Sequence, residues 1–309
     1  MRLLIVNFHY VRDHKPQAGI YPISTDEFRH QVEVLGKLYR FISQQELADL
    51  IVADNLPDKA CCLLTFDDGL KEQWLALDIL ERLSIPAVCF ATTQPLTEGI
   101  VHDVHKMHCV YSRLEDGEVY ALLHERFRIR EYPFDDALVQ QEYRYDTTIK
   151  KRIKFFINFV LEETDRLSLV DYLFTQVEPS ETAFSKRLYM DTQDLSKLAA
   201  AGMLGTHTKT HRPLATLDAI SLKDEISGSR QILEELTGTP IRSISYPFGG
   251  LAAVNPEVAN VARSEGMLFG LTMVRGMNNK DDIRGRMLLR RVDTNDAPGG
   301  KFNSLQFVP

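Results

Sequence analysis

The 309-residue sequence has few cysteines, no long apolar run and no surplus of basic residues. Its four cysteines form no CxxC pair, which argues against a zinc ribbon or a disulfide framework and favours reduced thiols in the core. A net charge of -7 argues against a nucleic-acid-binding surface, which needs a basic face. The N-terminal apolar run, Leu3 to Val6, is too short for a signal peptide, and no run reaches the length of a membrane span. We therefore expect a globular, cytoplasmic protein with no nucleic-acid partner and no membrane span.

Short apolar stretches alternate with amphipathic ones along most of the chain. RLLIVNF predicts a buried strand, and Ser24 and Glu27 form a capping-box pattern at the start of a helix. Strands that alternate with helices pair in parallel through right-handed crossovers, so eight of them predict a closed or nearly closed α/β barrel. The seven further strand candidates are RFIS, CCLLTF, PAVCFAT, MLGTH, SISYP, MLFGLTM and MLLRRVD.

Residues 95–188 interrupt this alternation. The stretch is polar, rich in charged and aromatic residues and without strong strand patterns, so we predict a mostly helical insertion within one catalytic domain over 1–309. It contains HDVHKMH, in which His102, His105 and His108 recur every three residues. Because no carboxylate or cysteine completes a ligand pattern there, an amphipathic segment is the favoured interpretation. Substrate contact at the barrel mouth is the functional alternative.

Polar side chains follow several of the predicted strands, at the end where parallel barrels carry their functional groups. His9 follows the first strand, Asp67 and Asp68 the third, and His207 and His211 the fifth. Each motif alone is ordinary, since DDG is a common turn signal and a lone histidine is more often structural. Together they offer two histidines and one carboxylate, a set that suits Zn, Fe, Co or Ni and leaves positions open. The second carboxylate is then available as a base.

The segments LLTFDDG, GTHTKTH and SYPFGG resemble the first three motifs of the polysaccharide deacetylases, the NodB-homology proteins of carbohydrate esterase family 4. The resemblance covers residues 1 to about 95 and 188–295, and leaves the insertion unmatched. It implies a distorted (β/α) barrel and a metal-dependent hydrolase that removes N-acetyl groups from amino sugars. Carried over residue by residue, it implies Asp67 as the general base, Asp68, His207 and His211 as ligands of a divalent metal, and the backbone N–H near Phe248 as an oxyanion donor.

The sequence departs twice from the pattern of this family. The usual proton-donating histidine stands near the C-terminus, whereas here no histidine follows His211. Similarity to circularly permuted relatives therefore assigns the general acid to His9. The third motif usually begins with an arginine that orients the base, but Ser245 stands at the near position. Arg290 or Arg291 could take that role from the last strand, and similarity to an L-P-R pattern in relatives favours Arg290.

The resemblance also implies the class of substrate. For a cytoplasmic enzyme it implies an N-acetylated sugar or oligosaccharide: a nucleotide sugar, a cytosolic oligosaccharide, or a lipid-linked intermediate that would bring the protein to the inner leaflet. It further implies a bacterial protein of capsule or lipopolysaccharide biosynthesis. Two alternatives stay open. One is a deformylase or other amide hydrolase, and the other is a catalytically silent barrel that binds sugar, which the missing motif arginine would explain.

Overall fold

The structure is a computed structural model that describes residues 2–16, 19–54, 58–143 and 146–302. Among these residues, no helix has both the length and the apolar character needed to cross a membrane. All four cysteines are buried free thiols, as the absence of paired spacings predicted.

The chain folds into two compact units. The prediction of one catalytic domain over 1–309, with an insertion at 95–188, stays a prediction. The first unit comprises Met1–His14, Pro22–Ile100 and Ser185–Pro309, and the second comprises Lys15–Tyr21 and Val101–Phe184.

The first unit contains a closed parallel barrel. All eight predicted strands are present and pair in parallel. Seven of them form the ring β1-β8-β7-β6-β5-β4-β3, which the pairing of β1 with β3 closes. The predicted (β/α) barrel is therefore confirmed. The strands are β1 (Arg2–Phe8), β2 (Arg40–Phe41), β3 (Ala60–Phe66), β4 (Ala87–Ala91), β5 (Leu204–Thr206), β6 (Ser243–Ser245), β7 (Phe269–Arg275) and β8 (Leu289–Asp293).

The short strand β2 lies beside the ring and is not one of its members. It pairs with the first half of β3, where Arg40 lies opposite Cys61. Strand β4 pairs with the second half, where Leu64 lies opposite Ala87. The two strands thus share one edge of β3, and the barrel closes with seven strands.

Alternate residues of the strands face the barrel interior and the surrounding helices. On β1, Leu3 and Ile5 belong to one buried cluster with residues of β3, β4, β7 and β8. Leu4 and Val6 belong to another cluster, which includes residues of the surrounding helices. Because both faces are covered, the strands are apolar runs and not polar–apolar alternations. The interior face of β1 continues from Ile5 to Asn7, where apolar packing gives way to polar contacts.

Helix boundaries follow the capping signals of the sequence. Ser24 caps the first helix in a capping box with Glu27, as predicted, and Gly238 ends the helix before β6 with φ of 67°. The helices are α1 (Thr25–Leu38), α2 (Gln44–Val52), α3 (Trp74–Arg82), α4 (Gln94–Glu98), α5 (Asp103–Tyr111), α6 (Asp116–Phe127), α7 (Asp136–Glu142), α8 (Thr148–Phe155), α9 (Glu163–Val177), α10 (Glu181–Leu188), α11 (Thr192–Ala200), α12 (Ala219–Lys223), α13 (Ser229–Thr237), α14 (Pro256–Ser264) and α15 (Lys280–Gly285).

The second unit has its own core of helices. Leu123, Ile153 and Leu173 are fully or almost fully buried in one cluster formed by α5, α6, α8 and α9. The α5 imidazoles of His105 and His108 have ring centroids 5.9 Å apart, and His102, just before α5, lies 6.2 Å from His105. The three rings therefore line one face of this segment.

Three phenylalanines join the barrel to α1. The ring of Phe8 stacks on Phe66 at 5.3 Å and meets Phe28 edge-on at 5.1 Å between centroids. All three side chains are fully buried. We predict that Phe28→Ala lowers the free energy of unfolding by about 3–5 kcal/mol, because the cavity adds to the lost transfer energy. Urea denaturation measures this effect.

The matched control is Leu75→Ala on α3, where the side chain is 45% exposed. That substitution should change the free energy of unfolding by no more than about 0.5 kcal/mol. Equal losses in the two variants would contradict the role given to the phenylalanine cluster.

Candidate active site

The two aspartates directly follow β3, and their side chains contact different groups. The N–H of Asp67 donates to the carbonyl of Phe8 at 3.1 Å, which extends the β1–β3 ladder by one bond. Asp68 then adopts φ of 78°, in the left-handed region. The Asp67 carboxylate contacts Arg291, whereas Oδ1 of Asp68 lies within 3.4 Å of two histidines. The turn thus separates two carboxyl groups that are adjacent in sequence.

Asp68, His207 and His211 bring three ligand atoms together. Oδ1 of Asp68 lies 3.4 Å from Nε2 of His207 and 3.3 Å from Nε2 of His211. Within the described ranges, this is the one group of three such side chains that could hold a metal ion. Nδ1 of His207 lies 2.7 Å from the carbonyl oxygen of Ser245, which can only accept, so Nδ1 donates and Nε2 is the ring nitrogen that faces Asp68. One carboxylate oxygen and two imidazole nitrogens are a donor set that fits Zn, Fe, Co or Ni.

A buried carboxylate holds the loop that carries the two histidines. Oε2 of Glu225 accepts from the N–H groups of Lys209 and Thr210 at 2.9 and 3.0 Å, and Oε1 accepts from the Thr210 hydroxyl at 2.5 Å. Glu225 lies in a π-helical turn, Asp224–Gly228. Such turns often occur near functional sites. Glu225 therefore fixes the backbone between His207 and His211.

Several residues around the cluster have strained backbone conformations. Non-glycine residues in the left-handed region cost on the order of 1–3 kcal/mol each unless the surroundings fix them. Such strain is common where a chain must aim a functional group. Besides Asp68, these residues are Thr208 with φ of 66°, His211 with φ of 58° and Phe248 with φ of 60°.

Arg291 fills the barrel interior beside Asp67. Its side chain is fully buried, and Nη1 and Nη2 donate to Oδ1 and Oδ2 of Asp67 at 2.9 and 2.7 Å. Nε donates to the carbonyl of Thr272 at 2.9 Å, and Nη2 also donates to the hydroxyl of Ser245 at 2.8 Å. The guanidinium thus forms a two-point ion pair with Asp67 and contacts β6 and β7. Ser245, which stands near the position of the missing motif arginine, is a partner of this one.

Strands β1 and β3 complete this polar layer. Oδ1 of Asn7 accepts from Arg291 at 2.9 Å and from the Thr65 hydroxyl at 3.1 Å. Nδ2 of Asn7 donates to Oδ2 of Asp67 at 3.0 Å. Asn7 therefore contacts both members of the ion pair, with its amide oxygen towards the cation and its amide nitrogen towards the anion.

The charges around Asp67 determine its protonation state. Burial by itself raises the pKa of Asp67, but the charges of Arg291 and His207, with hydrogen bonds from Arg291 and a smaller effect of His9, lower the pKa to about 2. The carboxylate is therefore ionised at neutral pH, which is the form that can accept a proton.

The arginine favoured from the sequence, Arg290, is not the one that contacts Asp67. Alternation along β8 directs Arg290 away from the barrel interior, where its Nη2 lies 3.8 Å from Asp282. Arg291, the second candidate, has the interior position. The assignment to Arg290 is therefore corrected to Arg291, because the interior face of β8 carries Leu289 and Arg291.

The two remaining predicted residues follow β1 and β6. His9 comes directly after β1 and is partly buried, and its charge contributes to the lowered pKa of Asp67. The ring of Phe248 lies 5.1 Å from that of His211, and Phe248 and Gly249 both have positive φ. The first unit thus places all the predicted site residues except Arg290 around the ends of β1, β3, β5 and β6.

Sequence reasoning missed Asn7, Thr65 and Glu225. Asn7 had a signal, because it is a single amide within the apolar run of β1. Thr65 has none, since threonine is common in strands. Glu225 has none either, since a glutamate on an amphipathic helix is usually solvated.

Comparisons with known proteins give a family match over part of the chain and a match in fold over nearly all of it. The family model described as polysaccharide deacetylase matches residues 166–270, which include His207, His211 and Phe248. Comparison with curated protein sequences gives no match.

Solved structures resemble the whole chain at low sequence identity. The Streptococcus pyogenes deacetylase PplD in complex with acetate is 16% identical, with a TM-score of 0.62 over 100% of this chain and 99% of that one. IcaB from Ammonifex degensii is 16% identical, with a TM-score of 0.58 over 99% and 97% of the two chains. The BpsB deacetylase domain from Bordetella bronchiseptica is 18% identical, with a TM-score of 0.53 over 94% and 96%.

The partial family match and the shared fold agree with the resemblance that the sequence motifs show. The predicted resemblance is therefore confirmed: residues 166–270 match the polysaccharide deacetylase model, and the chain has the barrel fold of these deacetylases.

Proposed function

We propose that this protein is a metal-dependent hydrolase that removes the N-acetyl group from an amino sugar. One observation supports this more than any other. At one end of the barrel, the ligand set Asp68, His207 and His211 lies next to the ionised carboxylate of Asp67, which Arg291 holds at two points. Hydrolysis of an amide by water is helped by a metal ion that activates the water and by a fixed base that accepts its proton.

The ligand set would hold a divalent ion, with Zn, Fe, Co and Ni as candidates. When bound, such an ion would polarise the amide carbonyl and lower the pKa of water. The protein's part is to present Nε2 of His207 and of His211 next to Oδ1 of Asp68. The carbonyl of Ser245 fixes the orientation of the His207 ring.

Asp67 is the proposed general base, which accepts a proton from the water that attacks the amide carbon. Its low pKa keeps it ionised, and the two bonds from Arg291 hold both carboxylate oxygens. Because these bonds prevent rotation of the carboxylate, the proton acceptor stays in one orientation. Arg291 acts through Asp67 and is a positioning residue.

His9 is the proposed general acid, which gives a proton to the departing amine. Its place after β1 and its electrostatic effect on Asp67 support this role. The backbone N–H near Phe248 is the proposed oxyanion donor. The positive φ of Phe248, whose ring lies beside that of His211, supports it, since irregular turns can present backbone N–H groups to anions. The next N–H, of Gly249, already donates to the carbonyl of Pro247.

The alternatives differ in how much supports them. The hypothesis of a catalytically silent, sugar-binding barrel was based on the missing motif arginine. Arg291 contacts the proposed base from another strand, so this basis is removed. Removal of a formyl or other acyl group uses the same residues and differs only in the acyl pocket. We favour acetyl because PplD, a deacetylase with 16% identity, is described in complex with acetate.

The source and place of the substrate stay predictions. We propose a nucleotide sugar, a cytosolic oligosaccharide or a lipid-linked precursor of bacterial capsule or lipopolysaccharide, with inner-leaflet association in the last case. Four buried free thiols are compatible with the reducing cytoplasm.

Substitutions can distinguish the proposed metal ligands from the proposed base. We predict one divalent metal per chain in the wild type, and loss of both metal and acetate release in His207→Ala. Asp67→Asn should keep the metal and lose turnover on the order of 10²–10⁴-fold, because it lacks only the proton acceptor. Plasma mass spectrometry measures the metal, and acetate release from N-acetylglucosamine oligosaccharides measures turnover.

The control for this experiment is His105→Ala in α5. It should leave the metal content unchanged, since His105 lies in the second unit with other histidines and not with the predicted ligands. Full metal content in His207→Ala would refute the ligand set, and full activity in Asp67→Asn would refute the base.

Adjacent arginines test how the base is held. Arg291→Lys should lower kcat on the order of 10–100-fold, because lysine keeps the charge but cannot donate two parallel bonds to Asp67. Arg290→Lys should stay within about twofold of the wild type, since Arg290 is half exposed and paired with Asp282. Equal activities in the two variants would contradict the assignment to Arg291.

The acid role of His9 predicts a dependence on the leaving group. His9→Ala should lower amide hydrolysis on the order of 10²-fold or more and should lower hydrolysis of 4-nitrophenyl acetate far less, because nitrophenolate leaves without a proton. His14→Ala, an exposed histidine on the same loop, should change neither rate. Loss of metal from His9→Ala would identify His9 as a ligand, and equal losses on both substrates would also exclude the acid role.

A further inference from the structure

A fully buried glutamine lies beside the site and has no part in the proposed chemistry. Gln73 is the last residue of the 3₁₀ turn Lys71–Gln73, which follows the two aspartates. Its side chain is completely buried, although it is polar and is not a ligand, base or acid. Its contacts connect the two residues that the proposed mechanism uses for proton transfer.

The amide nitrogen of Gln73 contacts two backbone carbonyls from different strand ends. Nε2 donates to the carbonyl oxygen of Asp67 at 2.6 Å and to that of His9 at 3.1 Å. Both partners are acceptors, so only the NH₂ end of the amide can face them. Within the described part of the chain, the amide oxygen of Gln73 has no hydrogen-bond partner. The side chain therefore satisfies these two carbonyls while its other polar end is left unmatched.

The two carbonyls lie just beyond the region that the sheet controls. The paired register of β1 and β3 ends with Phe8 opposite Phe66, and the last backbone bond runs from Asp67 to Phe8. Past this point, among the residues that the structure describes, no further backbone hydrogen bond joins the chain at His9 to the chain at Asp67. Gln73 supplies a bridge between them at that position.

The residue before Gln73 holds the next part of the same loop. Oε1 of Glu72 accepts from the N–H of Val11 at 3.1 Å, and Oε2 accepts from Nε of Arg12 at 2.5 Å. His9 is thus followed by a segment that is anchored on the same turn. One short turn holds the loop after β1 at His9, Val11 and Arg12.

We propose that Gln73 is a positioning residue that sets the distance between the general base Asp67 and the general acid His9. This inference rests on the proposed function, since it assigns a purpose to the spacing of those two residues. Proton transfer needs partners within hydrogen-bond reach, and a misplacement of about 1 Å can cost on the order of 10²-fold in rate. A bridge of two hydrogen bonds is short enough to control the spacing on that scale.

A purely structural role would give a different result, and the barrel contains a matched control. Gln44 also donates Nε2 to two carbonyls, of Gly202 at 2.7 Å and Leu204 at 3.1 Å. It lies near the first residues of β5 and β6, at the opposite end of the barrel from the site. Substitution of either glutamine by methionine keeps the side-chain length and removes the two hydrogen bonds from Nε2 to backbone carbonyls. At Gln44 it also removes the acceptor of the Ser243 hydroxyl, so this control loses at least as many bonds.

The experiment compares Gln73→Met with Gln44→Met in the full-length, metal-loaded protein. On an N-acetylglucosamine oligosaccharide, Gln73→Met should lower kcat about 10–100-fold, with KM and metal content within about twofold of the wild type. Gln44→Met should stay within about twofold in kcat. If Gln73→Met does not fold, Gln73→Asn replaces it, because its amide is one methylene too short to reach both carbonyls. It should show the same direction of change.

A double-mutant cycle with His9→Ala separates positioning from a general effect on the fold. In the His9→Ala background the Gln73 substitution should lower kcat by less than a third of its effect in the wild type, because the acid it positions is gone. The same fold-loss in both backgrounds, or a loss equal to that of Gln44→Met, would overturn the inference while leaving the proposed function intact. A wild-type protein that releases no acetate from any N-acetylated sugar would overturn both.

Discussion

The ion pair between Arg291 and Asp67 is the interaction on which the rest of the site depends. Both side chains are almost completely buried, and burial of a single ion costs several kcal/mol unless its partners satisfy it. The partners of this pair come from β1, β3, β6 and β7, and Arg291 itself lies on β8, so these groups come together only when the barrel is closed. Closure of the barrel therefore assembles the contacts that keep the buried carboxylate of the proposed base ionised.

Along the barrel axis, the interior changes from apolar side chains to a layer of polar and charged ones. The part further from the candidate site is filled by apolar side chains such as Ile5, Leu63 and Leu289. The polar layer of Asn7 and Arg291 lies one step further along the same interior faces, under the strand ends. The apolar part supplies the burial that offsets chain entropy. The polar part lies where water is excluded, so that charges there interact strongly.

The sequence was sufficient to predict the eight strands and most of the site, because parallel strands are apolar runs and their carboxyl ends meet at one edge. It was not sufficient to choose between Arg290 and Arg291. In MLLRRVD, Leu288 and Leu289 are both apolar, so the pattern does not show which of the two alternating sets of residues faces the barrel interior. Only the register of β8 against its neighbours places Arg291 inside. It also could not show that β2 lies outside the ring, because this depends on which half of β3 the strand pairs with. Contacts such as those of Gln73 join backbone carbonyls, which leave no trace in side-chain spacing.

The adjacent aspartates now have separate structural supports. The position of Asp68 depends on the left-handed turn after Asp67, and its histidine partners depend on a loop that Glu225 holds from another part of the barrel. Asp67 depends on Arg291 and on the ladder to β1. Because these two sets of contacts share few residues, we expect substitutions to impair the proposed metal site and the proposed proton-transfer pair one at a time. The acidic pair DDG is therefore the point where two sets of contacts meet, one around the proposed metal ligands and one around the proposed base, with Ser245 contacting both sets.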